Sequence, residues 1–190
     1  MRAAVALALV GLVASTASAG IVNGNFASGL TGWGTSGQAE IHNPGDFGIP
    51  ASPSGGPFAG AITSWGGNWG GPQGMIMQNV TGLLGPQTLT GEIYAAAHSG
   101  DLWRNTAIEV VWNGSVVASL ARDGSQSWAA DFPWVSFTAP VTATGSDMLV
   151  VQWTAHFAEW TWMGVDNLAI TPEPASIVLL GLAALFIRRR

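Results

Sequence analysis

The chain has 190 residues, no cysteine and no lysine, and its six arginines are met by eleven acids. Without cysteine there is no disulfide framework, thiolate metal site or cysteine nucleophile. Arg2 and Arg188, Arg189 and Arg190 lie at the extremes, so the stretch from Gly20 to Thr171 carries Arg104 and Arg122 against ten acids, a net charge of −8 that repels phosphate backbones and argues against nucleic-acid partners.

The first element, residues 1–19, reads as an export address. Arg2 is followed by an apolar run from Ala3 to about Ala14, and Ala17-Ser18-Ala19 places small residues where a signal peptidase cuts. Cleavage after Ala19 is expected, with Ala17 and Ala19 as the recognised positions.

Residues 20–171 show no amphipathic helix. Short alternating runs are separated by Gly, Pro, Asn and Ser clusters, which predicts an all-β sandwich or barrel. Asn43 to Pro57 reads as a loop, and so does Ser64 to Gly74, where Trp65 and Trp69 are embedded in glycine. "FAGAITS" and "MIMQNV" are short strands. "TLTGEIYAAA" sets Leu89, Ile93 and Ala95 against Thr90, Glu92 and Tyr94. "AIEVVWNGSVVASLA" is a hairpin with Asn113-Gly114 as a type I′ turn. "PWVSFTAPV" puts Val135 and Phe137 opposite Trp134, Ser136 and Thr138. "MLVVQWTAHF" puts Leu149, Val151 and Trp153 on one face, and "WMGVDNLAIT" is the last strand.

Little in this body points to catalysis. "GWGTSG" has G-x-G-x-x-G spacing but no strand before it and no helix after it, so it reads as a glycine-rich turn. His42, His98 and His156 lack metal-ligand spacing, and no H-E-x-x-H or G-x-S-x-G occurs. The chain is expected not to be an enzyme. The ten tryptophans are the notable excess. Trp33, Trp112 and Trp153 sit in strand or motif positions and read as core. Trp65, Trp69, Trp103 and Trp160 lie in or near turns, where a flat ring can stack on a sugar face, and are the candidate ligand contacts. Trp162 also lies near a turn.

The edges of the body carry a resemblance. "IVNGNFASGLTGW" and "MGVDNLAIT" resemble the first and last strands of galactose-binding-like jelly rolls, common among carbohydrate-binding modules, and "MQNVTGLLGPQTLTGEIYAAA" is similar to their strand, bend and strand. The resemblance implies a jelly-roll β-sandwich and an extracellular polysaccharide partner. It also implies a structural calcium, with Asp166 as one ligand. Ala27 stands where the family often has a glutamate, which removes a bidentate oxygen from an ion that needs six to eight. No other cofactor is expected.

The chain closes on "TPEPASIVLLGLAALFIRRR". Residues 175–187 form an apolar helix shorter than the roughly 20 residues of a full span. Arg188 to Arg190 would hold the cytoplasmic side. The order Pro172-Glu173-Pro174, apolar helix, arginine cluster resembles the PEP-CTERM sorting signal. That resemblance implies an exosortase-type processing partner and membrane anchoring by residues 172–190 before processing. It further implies a final place at the bacterial cell surface or in the matrix.

Overall fold

The computed structural model describes residues 20–63, 72–97, 105–122, 132–156 and 161–173. Among them are eight strands: β1 (Gly34–Gly37), β2 (Glu40–His42), β3 (Phe58–Thr63), β4 (Pro72–Ala97), β5 (Asn105–Trp112), β6 (Ser115–Arg122), β7 (Val135–His156) and β8 (Thr161–Pro172). All pairings are antiparallel. The order is β2-β3-β8-β4-β7-β5-β6, with β1 on the free edge of β4.

β4 and β7 are long because each passes through both layers. The first half of β4 lies between β1 and the second half of β7, followed by β5 and β6. Its second half lies between β8 and the first half of β7. The register slips between Thr81 and Leu84. There Gly82, Gly85 and, across the ladder, Gly145 take φ of 79°, 76° and 104°, values that L-residues adopt only at a cost. These glycines turn the paired strands from one layer to the other. The expected strand, bend and strand is this corner.

Strand parity fills the core. Ile76, Val80, Leu89, Ile93, Ala95, Ile108, Val110, Leu149, Val151, Trp153, Met163 and Val165 are all buried in one cluster drawn from both layers. Trp33, Trp112 and Trp153 join it, as their strand or motif positions imply.

Asp147 locks the corner. It is 1% exposed. Its carboxylate accepts from Thr144 N at 3.0 and 3.1 Å, Thr144 Oγ1 at 2.8 Å and Asn113 Nδ2 at 2.8 Å. Asn113 in turn exchanges two bonds with Met148, at 2.8 and 2.9 Å. Asn113 and Gly114 have φ of 48° and 81°, the type I′ signature the dipeptide predicts.

Two expectations change. "IVNGNFASGLTGW" forms turns rather than a first strand. Phe26 and Trp33 from it pack in the core with ring centroids 5.5 Å apart, and Gln78 holds it through Val22 N, Val22 O and Gly32 O. Gly34 to Gly37 of "GWGTSG" is an edge strand, with the left-handed glycines Gly32 and Gly37 at its limits.

Candidate functional site

The strand ends define two ends of the sandwich. His156 closes β7 in one layer and Thr161 opens β8 in the other. Five steps of chain span at most about 17 Å, so these layer ends are neighbours. Thr154 pairs with Pro72, and Asn105 with His156. Thr106 pairs with Arg122, while Thr63 and Ala97 both pair with Thr161. Four connections therefore leave and re-enter the fold at this one end: β3–β4, β4–β5, β6–β7 and β7–β8. In sequence they contain Trp65, Trp69, Trp103, Trp128, Trp134 and Trp160. The candidate ligand residues Trp65, Trp69, Trp103 and Trp160 lie outside the described residues, as does His98.

The described floor of this end is aromatic and well tied. Trp153 is fully buried and donates from Nε1 to Gln38 O at 2.8 Å. The Arg122 guanidinium stands 5.4 Å from the Phe132 ring centre, within cation–π range.

A second aromatic cluster covers the outer face of the β3-β8-β4 layer. Phe58, Tyr94, Ala96 and Trp162 point outward, yet all are buried, because Ile49, Phe132 and Trp134 lie over them. The segment from Asn43 to Pro57 is the roof. It is a loop as its composition predicts, with a 3-10 turn at Asp46–Gly48. Trp134 donates from Nε1 to Pro50 O at 3.0 Å, meets Phe58 edge-on at 5.1 Å and lies 5.4 Å from Tyr94. Gly164 makes room: a Cβ there would stand 2.9 Å from Phe58 and 3.0 Å from Trp134. Trp162, expected near a turn, is thus a strand residue 1% exposed beneath this roof.

Asp166 belongs to the same face. It is fully buried. One carboxylate oxygen accepts from the Ser54 hydroxyl and the other from Asn167 N at 2.7 Å. Its cross-strand partner is Glu92. Burial pushes the Glu92 carboxyl above its usual range; a hydrogen bond from the Asn167 side chain opposes this and the Asp166 charge adds to it. The ladder slips beside this pair, and Asn167 takes φ of 52° in the bulge. Ala27 offers no side-chain oxygen, and its N–H donates to Asn25 Oδ1 at 3.4 Å. Among the described residues no three His, Cys, Asp or Glu converge on a point that could hold a metal ion. His42 is buried against Phe58, and burial holds its pKa below the usual value although Glu40 and Asp46 pull it up. Sequence reasoning missed Ser54 and Glu92 as partners of Asp166, since nothing in "SPSGG" signals a contact 112 residues away.

A scan against protein-family models finds no match, and no curated protein matches the chain. Solved structures do match in fold. TmCBM61, solved in complex with β-1,4-galactotriose, aligns over 80% of this chain and 97% of its own with 13% identity and a TM-score of 0.51. The K3 cleaved adhesin domain of Lys-gingipain from Porphyromonas gingivalis aligns over 80% and 99% with 13% identity and a TM-score of 0.52. At these identities the likeness is one of fold: the body is a β-sandwich of the jelly-roll kind found in carbohydrate-binding modules.

Proposed function

We propose that this chain is an exported, envelope-sorted surface or matrix protein whose sandwich is a non-catalytic module for extracellular polysaccharide. The observation that carries the reading is the strand register. It brings four connections bearing six of the ten tryptophans, five of them outside the described residues, to one end of a fold similar to that of a galactotriose-bound module. Flat aromatic rings borne on a rigid scaffold suit sugar faces. Trp65 and Trp69 are the first contacts to test, with Trp103 and Trp160 beside them. A glycosidase reading has no support from the described carboxylates. Their one cross-strand pair, Glu92 and Asp166, has Asp166 sealed from solvent, whereas hydrolysis needs two carboxyl groups reaching the substrate. We also propose that no calcium resides at Asp166, whose two oxygens are already taken by donors of the chain.

Export by residues 1–19 and sorting by Pro172-Glu173-Pro174, the apolar run and Arg188 to Arg190 form part of the same proposal. Deleting residues 171–190 should release the protein from the envelope. Retention of the full chain on exopolysaccharide, lost at least tenfold in Trp65→Ala/Trp69→Ala with an unchanged Tm, is the expected result. Equal retention would remove the sugar from the proposal.

The likeness to an adhesin domain favours a second reading, a structural or adhesive surface protein without a specific glycan. In that case the double variant would alter cell aggregation but not glycan retention.

A further inference from the structure

The two ends of the sandwich differ in charge, and the tail leaves from one of them. Glu173 N donates to Pro86 O at 3.3 Å, which fixes the last described residue beside the β4–β7 corner. From Thr161 to Glu173 the strand runs roughly 35 Å at about 3.3 Å per residue, allowing for its bulge. The tail therefore departs from the end opposite the tryptophan-bearing connections. Gly20 lies by the same departing strand, where a Cβ on it would meet Ile170 at 3.7 Å.

The corner end is nearly free of charge. Residues 79–90, 112–121 and 168–172 contain no charged side chain, residues 138–149 contain only Asp147, and Glu173, where the tail departs, is the one other acid at this end among the described residues. The Asp147 carboxylate is buried. Burial alone would raise its pKa, but bonds from Asn113, Thr144 and Gly145 hold it below the usual range. The exposed side chains here are Thr81, Pro86, Thr142, Thr144, Ser115 and the apolar Leu84, Val116 and Met148, with Leu84 73% exposed. The opposite connections hold Asp101, Asp123, Asp131 and Glu159 against Arg104.

We propose that the corner end is a lipid-facing surface, on which the sandwich stands with its tryptophan-bearing end turned away from the membrane. This rests on the reading of residues 172–190 as a membrane address. Ile177 follows Glu173 by four residues, at most about 14 Å of chain, so a tail entering a bilayer at Ile177 brings the corner to the headgroups. Bacterial-type anionic headgroups repel carboxylates only within a Debye length, about 8 Å at physiological salt. Standing on the corner keeps the acidic end far outside that distance, whereas tipping over would bring it within range. Leu84, exposed at the corner, carries no charge to desolvate on entering the interface.

The cysteine-free chain permits a clean test. Full-length Ser115→Cys (corner) and Ser36→Cys (on β1, paired with Met75, three residues from Pro72) are each labelled with one fluorophore and reconstituted into anionic vesicles carrying headgroup nitroxide quenchers. Flotation reports attachment, and quenching reports orientation. The expected result is at least threefold stronger quenching at position 115 than at 36, reduced by half or more on adding Leu84→Glu and Thr142→Glu. Flotation with equal quenching, or with stronger quenching at 36, overturns the orientation alone. Failure to float overturns the membrane address and the orientation with it, while leaving glycan retention in solution to be judged separately.

Discussion

Asp147→Ala is the sharpest probe of how the corner is held. The substitution removes a buried carboxylate that accepts four bonds, and it strands Thr144 N, Thr144 Oγ1 and Asn113 Nδ2. Hydrogen bonds to a charged group contribute about 1.5–3 kcal/mol each, and a stranded donor costs about 1–3. Thr144 and Asn113 are exposed, so water replaces part of the loss, and the net cost should be about 3 kcal/mol. In a domain of this size that is a fall in Tm of about 10 °C. The pH dependence identifies the cause. The carboxyl pKa is lowered in the fold, so its contribution is fully present above the unfolded value near 3.9 and is lost as pH falls through the folded one. Urea melts of wild type and Asp147→Ala at pH 7 and pH 3 should therefore differ by about 3 kcal/mol at the first and by less at the second. A gap below about 1 kcal/mol at pH 7, or one equally large at both, would refute the account. Adding Asn113→Ala should cost less in the Asp147→Ala background than in wild type, because the two share one bond.

Glu92→Gln should stabilise the protein at pH 7: with a raised folded pKa, the native acid favours folding below the unfolded value near 4.3 and loses that advantage as pH rises. Chemical melts at pH 7 and pH 4 check this, with the gain confined to the higher pH. Gly164→Ala should cost about 1–3 kcal/mol by forcing Phe58 and Trp134 apart, read as a lower Tm and a shift in near-UV circular dichroism from the aromatic cluster. Adding a chelator or millimolar calcium should leave Tm within about 1 °C, because the Asp166 oxygens already serve Ser54 and Asn167; a rise of several degrees with calcium would restore the metal site.

The strands were legible because alternation is enforced by burial. Leu89, Ile93 and Ala95 face one way and Thr90, Glu92 and Tyr94 the other, as their spacing required. The hairpin at Asn113-Gly114 was legible because few residues accept two successive positive φ values. The opening "NGNF" misled for the converse reason. Phe26 is buried like a strand residue, but Asn23 and Phe26 take φ of 52° and 51° and the segment turns into the core instead of pairing. A buried aromatic beside turn formers fits either outcome, and only the partner, here Gln78, decides between them.

The tryptophans show where such reading stops. Parity sorts Trp153 correctly, because it shares a face with Leu149 and Val151 and that face closes on the opposite layer. The same rule places Trp162 outward, with Gly164 and Asp166, and an outward tryptophan reads as available for binding. It is not available, because the segment from Asn43 to Pro57 carries Ile49 over it and helps hold Trp134 there. That roof is attached by contacts of long sequence separation: Ser54 to Asp166, and Pro50 to Trp134. Periodicity carries information only about residues a few positions apart, so it cannot report a roof. This burial moves the ligand question off the sheet face and onto the end where the β3–β4, β4–β5, β6–β7 and β7–β8 connections meet, which is why Trp65 and Trp69, rather than Trp162, are the residues to mutate first.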